Sequence, residues 1–193
     1  MNNLDEQSAE PESTLEDLET KLTVHGVMLG IHDQGILLVG KSGIGKSECA
    51  LDLIRRGHSL VSDDSVEIRR AGGALEGCSP ELTRGLLEIR GLGIVDVQST
   101  FGIAAFGGPR QIDLVIEFRS WADCEDIDRL GLEIQYENYL DVEVSKFVVP
   151  VSSGRNIATL VETAVKVYLL RKAGNEPVSE LIKKHNEAVS GTK

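Results

Sequence analysis

A glycine-rich octapeptide at residues 40–47 constrains this chain more than any other feature. It reads G-K-S-G-I-G-K-S and lies between a short apolar run at residues 35–39 and a helical pattern of apolar residues at 48–56. Glycines permit positive φ and a close approach of the backbone to a ligand, while successive N–H groups at a helix N-terminus favour anions. A strand, a glycine turn and a helix in this order are typical of a phosphate-binding P-loop. The sequence therefore predicts a site for a nucleotide or another polyphosphate.

The residue types within the loop predict separate tasks. We expect the Lys46 ammonium to pair with the β- and γ-phosphates and the Ser47 hydroxyl to bind Mg²⁺. The residues expected to contact the nucleotide are Gly40, Lys41, Ser42, Gly43, Ile44, Gly45, Lys46 and Ser47. A glycine turn that binds nothing is the alternative, and the flanking strand and helix patterns argue against it.

Composition limits the kind of protein that the chain can be. Its 193 residues suit one domain of ordinary size, and a hydrophobic share of 41% with only 4% aromatic residues predicts a core of Val, Ile and Leu. A formal net charge of −11 argues against nucleic acid as a general partner.

The cysteines and the hydropathy pattern bear on the location of the protein. The widely spaced Cys49, Cys78 and Cys124 suit neither a metal cluster nor a disulfide framework, which favours the cytoplasm. We expect Cys49 to be buried. The sequence has no signal peptide and no apolar run of about 18 residues, so we expect no membrane segment.

The chain divides into a short lead-in and one α/β domain. Residues 1–20 are acidic and poor in apolar side chains, so they are predicted to be disordered, and residues 21–193 form the predicted domain. Apolar or alternating runs predict strands at residues 22–29, 36–39, 59–62, 66–70, 74–78, 112–118 and 147–151. Helical patterns cover residues 48–56, 156–172 and 178–189, with a short helix after Pro80. Residues 86–95 are predicted to be a loop leading to a buried strand, and residues 121–130 a helix or a loop. The fold class is α/β, with a mostly buried sheet around the P-loop.

Charged side chains beyond the P-loop indicate where the rest of a site could lie. Asp63 and Asp64 end a strand predicted to run beside the P-loop unit, where a P-loop enzyme needs an acidic group near the metal. Asp63 is a candidate for holding Mg²⁺ through water or for accepting a hydroxyl proton, and an ordinary turn is the alternative. Glu88 and Arg90 could supply a metal ligand and a phosphate clamp from one loop, with a surface salt bridge as the alternative.

Two further features have structural explanations as well as functional ones. His25 lies in an apolar strand, where a lone histidine is usually a structural residue. Residues 154–156 read G-R-N and open the longest helical pattern, so they could bind an anion at its N-terminus. A helix cap formed by Asn156 or Ser153 explains the same residues equally well.

Together these segments resemble the C-terminal catalytic domain of bacterial HPr kinase/phosphorylase. The resemblance covers nearly the whole predicted domain and rests on residues 24–26 (V-H-G), the P-loop with Glu48, 56–58 (R-G-H), 60–64, 86–94 (L-L-E-I-R-G-L-G-I), 101–102, 128–131 (D-R-L-G) and 150–156. The L-L-E-I-R-G-L-G-I block, in order with D-D and D-R-L-G, is far more specific than a P-loop.

The resemblance implies a fold, an assembly and a reversible reaction. The implied fold is related to the nucleotide-binding core of phosphoenolpyruvate carboxykinase, and the implied assembly is a ring-like homohexamer. The implied activity is phosphorylation by ATP of a serine on HPr, a small phosphocarrier protein. In the reverse direction, inorganic phosphate removes that phosphoryl group and gives pyrophosphate. The expected metal is Mg²⁺.

The resemblance also assigns roles to residues of this chain. Lys46 would bind the β-phosphate and stabilise charge as the phosphoryl group moves. Ser47 and Glu88 would hold the metal. Asp63 would be the general base toward the substrate serine and the general acid in the reverse reaction.

Four further assignments follow from the same resemblance. His25 would lie near the phosphates, and Arg129 would contact the transferred group or the partner protein. Residues 87–96 would serve both reactions, and residues 151–156 would matter most for phosphorolysis.

The chain departs from the family pattern at three places. Members of the family carry a separate N-terminal domain, where this chain has about twenty acidic-rich residues. Lys41 stands where the family usually has an acidic residue, and we expect it to add positive charge beside the phosphates. Ser152 and Ser153 stand where a basic residue and proline are usual, which affects phosphorolysis more than kinase activity.

Two other functions remain compatible with the residues. The same fold could phosphorylate free serine, another small hydroxyl compound or a different protein, because a fold does not fix a function. A non-catalytic nucleotide sensor is the other alternative. The presence of both Asp63 and Glu88 argues against a sensor, which has no need of a base.

Overall fold

A computed structural model of the chain describes residues 21–124 and 135–175. The strands are β1 (Lys21–His25), β2 (Val27–Ile31), β3 (Gln34–Gly40), β4 (Ser59–Ser62), β5 (Ser65–Ala71), β6 (Ala74–Cys78), β7 (Leu86–Ile89), β8 (Gly93–Asp96), β9 (Arg110–Gln111), β10 (Leu114–Ser120), β11 (Gln135–Tyr139) and β12 (Val142–Val151). The helices are α1 (Lys46–Arg55), α2 (Val97–Phe101) and α3 (Ile157–Lys172), with 3₁₀ turns at Glu81–Thr83, Ile103–Ala105 and Trp121–Asp123. The predicted α/β class is confirmed.

A six-stranded sheet with the order β11-β12-β10-β3-β2-β4 forms the middle layer. Strands β3, β10 and β12 are parallel neighbours, while β2 is antiparallel to both β3 and β4. The carboxyl ends of β3, β4, β10 and β12 therefore meet at one edge, together with the start of β2. The P-loop follows β3 at this edge, so the topology brings residues from all five strands toward the phosphate-binding loop.

The central strand β3 is buried on both faces. Ile36 and Leu38 pack into the core under the helices, while Leu37 packs into a second core on the opposite face. Successive side chains of a strand point to opposite faces, so a strand covered on both sides needs an unbroken apolar run. This requirement explains the short apolar stretch that precedes the P-loop.

Helices α1 and α3 cover one face of the sheet. The helix residues buried against it are Cys49, Ala50, Leu53, Ile54, Ala158, Val161 and Val165. Helix α1 ends before Gly57, whose φ of 96° is easy for glycine, as the sequence predicts. The Asn156 side chain accepts a hydrogen bond from Thr159 N at 3.0 Å and caps α3, which confirms the capping explanation.

A four-stranded sheet with the order β1-β5-β6-β9 covers the other face. Val66 and Ile68 of β5 and Leu75 of β6 are fully or almost fully buried against the middle layer. They alternate with more exposed residues, which is the pattern of a sheet with one solvated face.

The predicted single strand at residues 22–29 is wrong, because the chain changes sheets at Gly26. Strand β1 pairs with β5 in the outer sheet, and β2 pairs with β3 and β4 in the middle sheet. A Cβ at Gly26 would lie 2.6 Å from the Leu38 carbonyl oxygen, so this crossing requires glycine. At this crossing the alternation of residues 22–25 gives way to the continuous apolar run of residues 27–29, but the residue types do not show that the two parts join different sheets.

Three other predictions differ from the structure. Residues 86–95 form the hairpin of β7 and β8 in which β8 is largely exposed, not a loop leading to a buried strand. The predicted strand at 147–151 begins at Val142 and pairs with β11, a polar strand that the sequence analysis missed. The helix predicted after Pro80 is a 3₁₀ turn, and α2 was not predicted.

Some predictions lie outside the described residues. They are the acidic lead-in at 1–20, the segment that contains Arg129, and the helix at 178–189. Within residues 21–124 and 135–175, no helix combines the length and the apolar character that crossing a bilayer requires.

Candidate active site

The P-loop holds its lysine against its own backbone. Gly40, Gly43 and Gly45 all have positive φ, as the sequence predicts. Lys46 is only 6% exposed, and its Nζ donates to the carbonyl oxygens of Gly40 at 2.9 Å and Lys41 at 3.2 Å. Burial lowers the pKa of Lys46, while the nearby carboxylates of Asp64, Asp63 and Glu48 oppose that shift. The ammonium is therefore positioned and partly desolvated, which strengthens its attraction for phosphate oxygens.

His25 contacts this lysine directly. Its Nε2 lies 3.2 Å from Lys46 Nζ, and its Nδ1 lies 2.9 Å from the Asp64 carbonyl oxygen and 3.1 Å from Asp64 Oδ1. An ammonium can only donate, so Nε2 must accept and the ring proton must be on Nδ1, where Asp64 accepts it. The interpretation of His25 as a structural residue within an apolar strand is wrong, because its side chain is 49% exposed beside the P-loop.

Asp63 is held by two donors from different elements. It is 4% exposed, its Oδ1 accepts from the Ser47 hydroxyl at 2.9 Å, and its Oδ2 accepts from Glu88 N at 2.9 Å. Burial raises the pKa of Asp63, and the hydrogen bonds from Glu88 N and Ser47 partly offset this rise. An ordinary turn would leave this carboxylate in solvent. Asp64, with a positive φ of 64°, instead takes the exposed position and turns toward His25.

Oxygen donors suited to magnesium line one cleft beside the P-loop. The cleft has a volume of about 110 Å³, and its lining includes Ser47, Asp63 and Glu88. Mg²⁺ takes oxygen ligands and usually binds through one or two protein groups together with phosphates and water. The described residues contain no group of three or more His, Cys, Asp and Glu side chains arranged to hold a metal. The oxygen donors present suit Mg²⁺ by their chemistry, and further ligands would have to come from phosphate or water.

Arg90 faces the same cleft from the β7–β8 hairpin. A Cβ added at Gly43 would lie 3.4 Å from Arg90 Nη2, so the guanidinium lies directly above the P-loop. Among residues 21–124 and 135–175, no ion pair joins Arg90 to Glu88. The geometry favours the phosphate-clamp interpretation over the surface salt bridge.

Two of the P-loop residues predicted to contact the nucleotide contact other parts of the protein. Lys41 Nζ forms an ion pair with Asp123 at 3.0 Å, so its charge is matched by a carboxylate and does not simply add to the phosphate site. Ile44 packs against the core under the helices and supports the loop. Ser42, in contrast, lines the cleft as predicted.

Sequence reasoning missed the partners of two site residues. The alternation of a strand predicts that one aspartate of the pair at 63–64 faces away or makes an ion pair, but nothing in the pattern showed that the partner would be His25, 39 positions away. Asp123 lies 82 positions from Lys41, and no periodicity connects them. Both contacts depend on strand order, which the sequence pattern does not contain.

The sequence matches the family described as the HPr Serine kinase C-terminal domain over residues 16–185. The chain belongs to this family. It is 46% identical over 170 residues to the HPr kinase/phosphorylase of Caldanaerobacter subterraneus subsp. tengcongensis, which covers 88% of this chain and 56% of that relative. It is 45% identical over 166 residues to the HPr kinase/phosphorylase of Clostridium perfringens strain SM101, which covers 86% of this chain and 53% of that relative. The chain thus spans about half the length of the curated relatives that it matches.

A solved structure shows the same fold. The structure of the Hpr(Ser) kinase/phosphatase from Coxiella burnetii aligns with a TM-score of 0.75 and 34% sequence identity. The alignment covers 79% of this chain and 93% of that one.

Proposed function

We propose that this chain is an ATP-dependent serine kinase that acts on HPr, and that it also removes the phosphoryl group by phosphorolysis. One observation carries the proposal: the buried carboxylate of Asp63 is held by Ser47 and Glu88 N beside the P-loop lysine. This arrangement combines a proton acceptor with a phosphate-binding loop, as transfer to a hydroxyl requires. The names of the relatives agree with this chemistry.

In the kinase direction, the chain positions the reactants and neutralises charge. The P-loop amides and Lys46 bind the phosphates of ATP, and Asp63 accepts the proton of the attacking serine hydroxyl. Ser47 and Glu88 would hold Mg²⁺, which would neutralise the charge that develops on the phosphate oxygens. Arg90 would contact the same phosphates from above the loop. The serine oxygen forms a bond to the γ-phosphorus, the bond to the β-phosphate oxygen breaks, and ADP leaves.

The reverse reaction uses the same groups in opposite protonation states. Inorganic phosphate in the P-loop attacks the phosphorus of phosphoserine, the bond to the serine oxygen breaks, and pyrophosphate forms. Asp63 returns its proton to the serine oxygen, as microscopic reversibility requires. The raised pKa of Asp63 suits a group that must carry a proton in one direction and accept it in the other.

The remaining parts of the proposal rest on the family resemblance. We infer a homohexamer, a contact of Arg129 with the transferred group or the partner, and a cytoplasmic location without nucleic-acid or membrane partners. The three unpaired cysteines suit a reducing compartment. Residues 1–20 are proposed to be an acidic lead-in to a single domain at 21–193.

Mass spectrometry of HPr tests the proposal. The purified chain, Mg²⁺ and ATP should add one phosphoryl group to a serine of HPr, and excess phosphate without ATP should remove it with release of pyrophosphate. Asp63→Asn should abolish both reactions while ATP binding persists. Asp33→Asn is a matched control, because Asp33 is exposed in the β2–β3 turn with a φ of 63° that asparagine tolerates.

Three results would contradict parts of the proposal. Full kinase activity of Asp63→Asn would refute Asp63 as the base. Transfer to free serine with none to HPr would refute the partner. Tight ATP binding without transfer to any acceptor would select the sensor alternative.

A further inference from the structure

An exposed aromatic side chain lies beside the P-loop without a role in the chemistry above. Trp121 is 60% exposed in the 3₁₀ turn that follows β10. The Arg155 guanidinium carbon lies 5.3 Å from the centre of its ring, and Arg155 Nη1 donates to the Pro150 carbonyl oxygen at 2.9 Å. An exposed aromatic ring with a cation held over its face is found in binding sites.

The strand order places this pair next to the phosphate-binding loop. Gly40 of β3 pairs with Phe118 of β10, and Ser120 of β10 pairs with Val151 of β12. Trp121 therefore follows the carboxyl end of β10, the neighbour of the P-loop strand, and Arg155 follows the carboxyl end of β12, the next strand beyond it. Ligands of open α/β sheets bind in the crevice outside these strand ends.

The position of Asp63 predicts the orientation of the bound nucleotide. Asp63 follows β4, which lies beyond β2 on one side of β3, whereas β10 and β12 lie on the other side. The γ-phosphate must face Asp63, because that carboxylate acts on the attacking hydroxyl. The nucleoside end of the same ligand is therefore directed toward β10 and β12, where Trp121 and Arg155 lie.

A further contact connects the turn that carries the ring to the P-loop. Asp123 is two residues after Trp121 and forms the ion pair with Lys41 at 3.0 Å. Both side chains are substantially exposed, so the pair adds little stability, but it shows that the turn lies beside the start of the P-loop.

We propose that Trp121 and Arg155 form a stacking platform for the base of the bound nucleotide. The inference rests on the proposed nucleotide-dependent function and specifies the second half of its ligand. Stacking recognises the π-face that every base has, so the platform binds the base without selecting one base by hydrogen bonds. It contributes affinity for the nucleoside and none for the phosphates.

Calorimetric titration of the full chain with two ligands separates these contributions. MgATP carries the phosphates and the base, whereas magnesium tripolyphosphate carries the phosphates alone. Trp121→Ala should weaken ATP binding by roughly five- to a hundredfold, the range expected for the loss of one stacked base, and should leave tripolyphosphate binding within about twofold. Arg155→Ala should also weaken ATP binding more than tripolyphosphate binding. Trp121→Phe should retain most of the ATP affinity.

Tyr136→Ala is the matched control. Tyr136 is also an exposed aromatic residue, at 53%, but it lies on the edge strand β11 opposite Ser145, near the start of β12, whereas the platform lies beyond the carboxyl end of that strand. Its replacement should change neither affinity. Wild-type ATP affinity in Trp121→Ala would overturn the platform, and so would equal losses of ATP and tripolyphosphate. Neither titration contains HPr, so the failure of phosphoryl transfer and the failure of the platform give different results.

Discussion

His25 Nε2 and Lys46 Nζ lie 3.2 Å apart, although 21 positions separate the two residues in the chain. The imidazole also contacts Asp64, so it connects the exposed aspartate of the pair at residues 63–64 to the ammonium of the P-loop. The buried aspartate of the same pair contacts Ser47. The two adjacent aspartates thus contact two P-loop side chains, Asp63 reaching Ser47 directly and Asp64 reaching Lys46 through His25.

Replacement of His25 by alanine should lower the rate of phosphoryl transfer. Lys46 would lose a side-chain acceptor and keep only the two backbone carbonyls, so its ammonium would be less well positioned. A hydrogen bond to a charged group contributes about 1.5–3 kcal/mol, and we expect kcat to fall about tenfold or more. If the role is positioning, the KM for ATP should change much less than kcat. His32→Asn is the control, because His32 is exposed at a φ of 48° in the distant β2–β3 turn. Equal activity of His25→Ala and wild type would contradict this role.

Replacement of Ser47 by alanine should raise the Mg²⁺ concentration needed for half-maximal activity. Its hydroxyl lies 2.9 Å from Asp63 Oδ1, so the variant loses a metal ligand and one of the two donors that hold the carboxylate. We expect this Mg²⁺ concentration to rise about tenfold or more, since the loss of a group that orients a metal ligand typically weakens metal binding by this factor. Ser47→Thr retains the hydroxyl and should restore the wild-type requirement. A magnesium titration in which both variants match the wild type would exclude Ser47 as a ligand.

The two directions of the reaction should respond oppositely to pH. The base for serine must be deprotonated, so the kinase rate should rise as pH increases through the pKa of Asp63. The acid for phosphorolysis must be protonated, so that rate should fall through the same pKa. Burial raises this pKa, which moves both transitions above 3.8, the ordinary value for aspartate. Profiles of kcat/KM in both directions check the prediction, and transitions in the same direction would contradict a shared group.

Cys49 should be the slowest of the three thiols to react. It is 5% exposed, and burial raises its pKa to about 12, so at pH 8 it is protonated as well as covered. The thiolate is the reactive form, and Cys78 and Cys124 are both more exposed. A maleimide titration of the native protein with peptide mapping should label Cys49 last. Cys49→Ala should leave the fast phase unchanged, and rapid labelling of Cys49 would contradict its burial.

The P-loop unit could be predicted because its signals are local. The β3 strand must be apolar on both faces, the loop needs glycines with positive φ, and α1 must be apolar on one side. Each requirement acts within a few residues, so the order of residue types along the chain expresses it directly. The predicted helix at 48–56 was correct within two residues at its start, where the glycine turn merges with α1.

The wrong strand predictions arose where one pattern of residues is compatible with two different structures. Residues 22–25 alternate between apolar and polar and residues 27–29 are all apolar, which one strand and two strands in different sheets both permit. Only the crowding of Gly26 against the Leu38 carbonyl shows that the chain leaves one sheet for another. Strand β11 was missed because its residues are largely polar and exposed, and it is a strand only through its pairing with β12. Pairing partners lie far away in the sequence, so local periodicity cannot identify such strands.

The sequence by itself determined that the chain has a P-loop, an acidic pair after a neighbouring strand, and the motifs of one family. These features are short, and each is specified by residue types at fixed spacing. Only the tertiary structure decided that Asp63 is buried against Ser47, that His25 contacts Lys46, and that Trp121 lies beside the P-loop with Arg155. The physical reason is that these contacts join strands that are distant in the chain. Their geometry follows from strand order and register, which packing of the two cores fixes and local sequence does not.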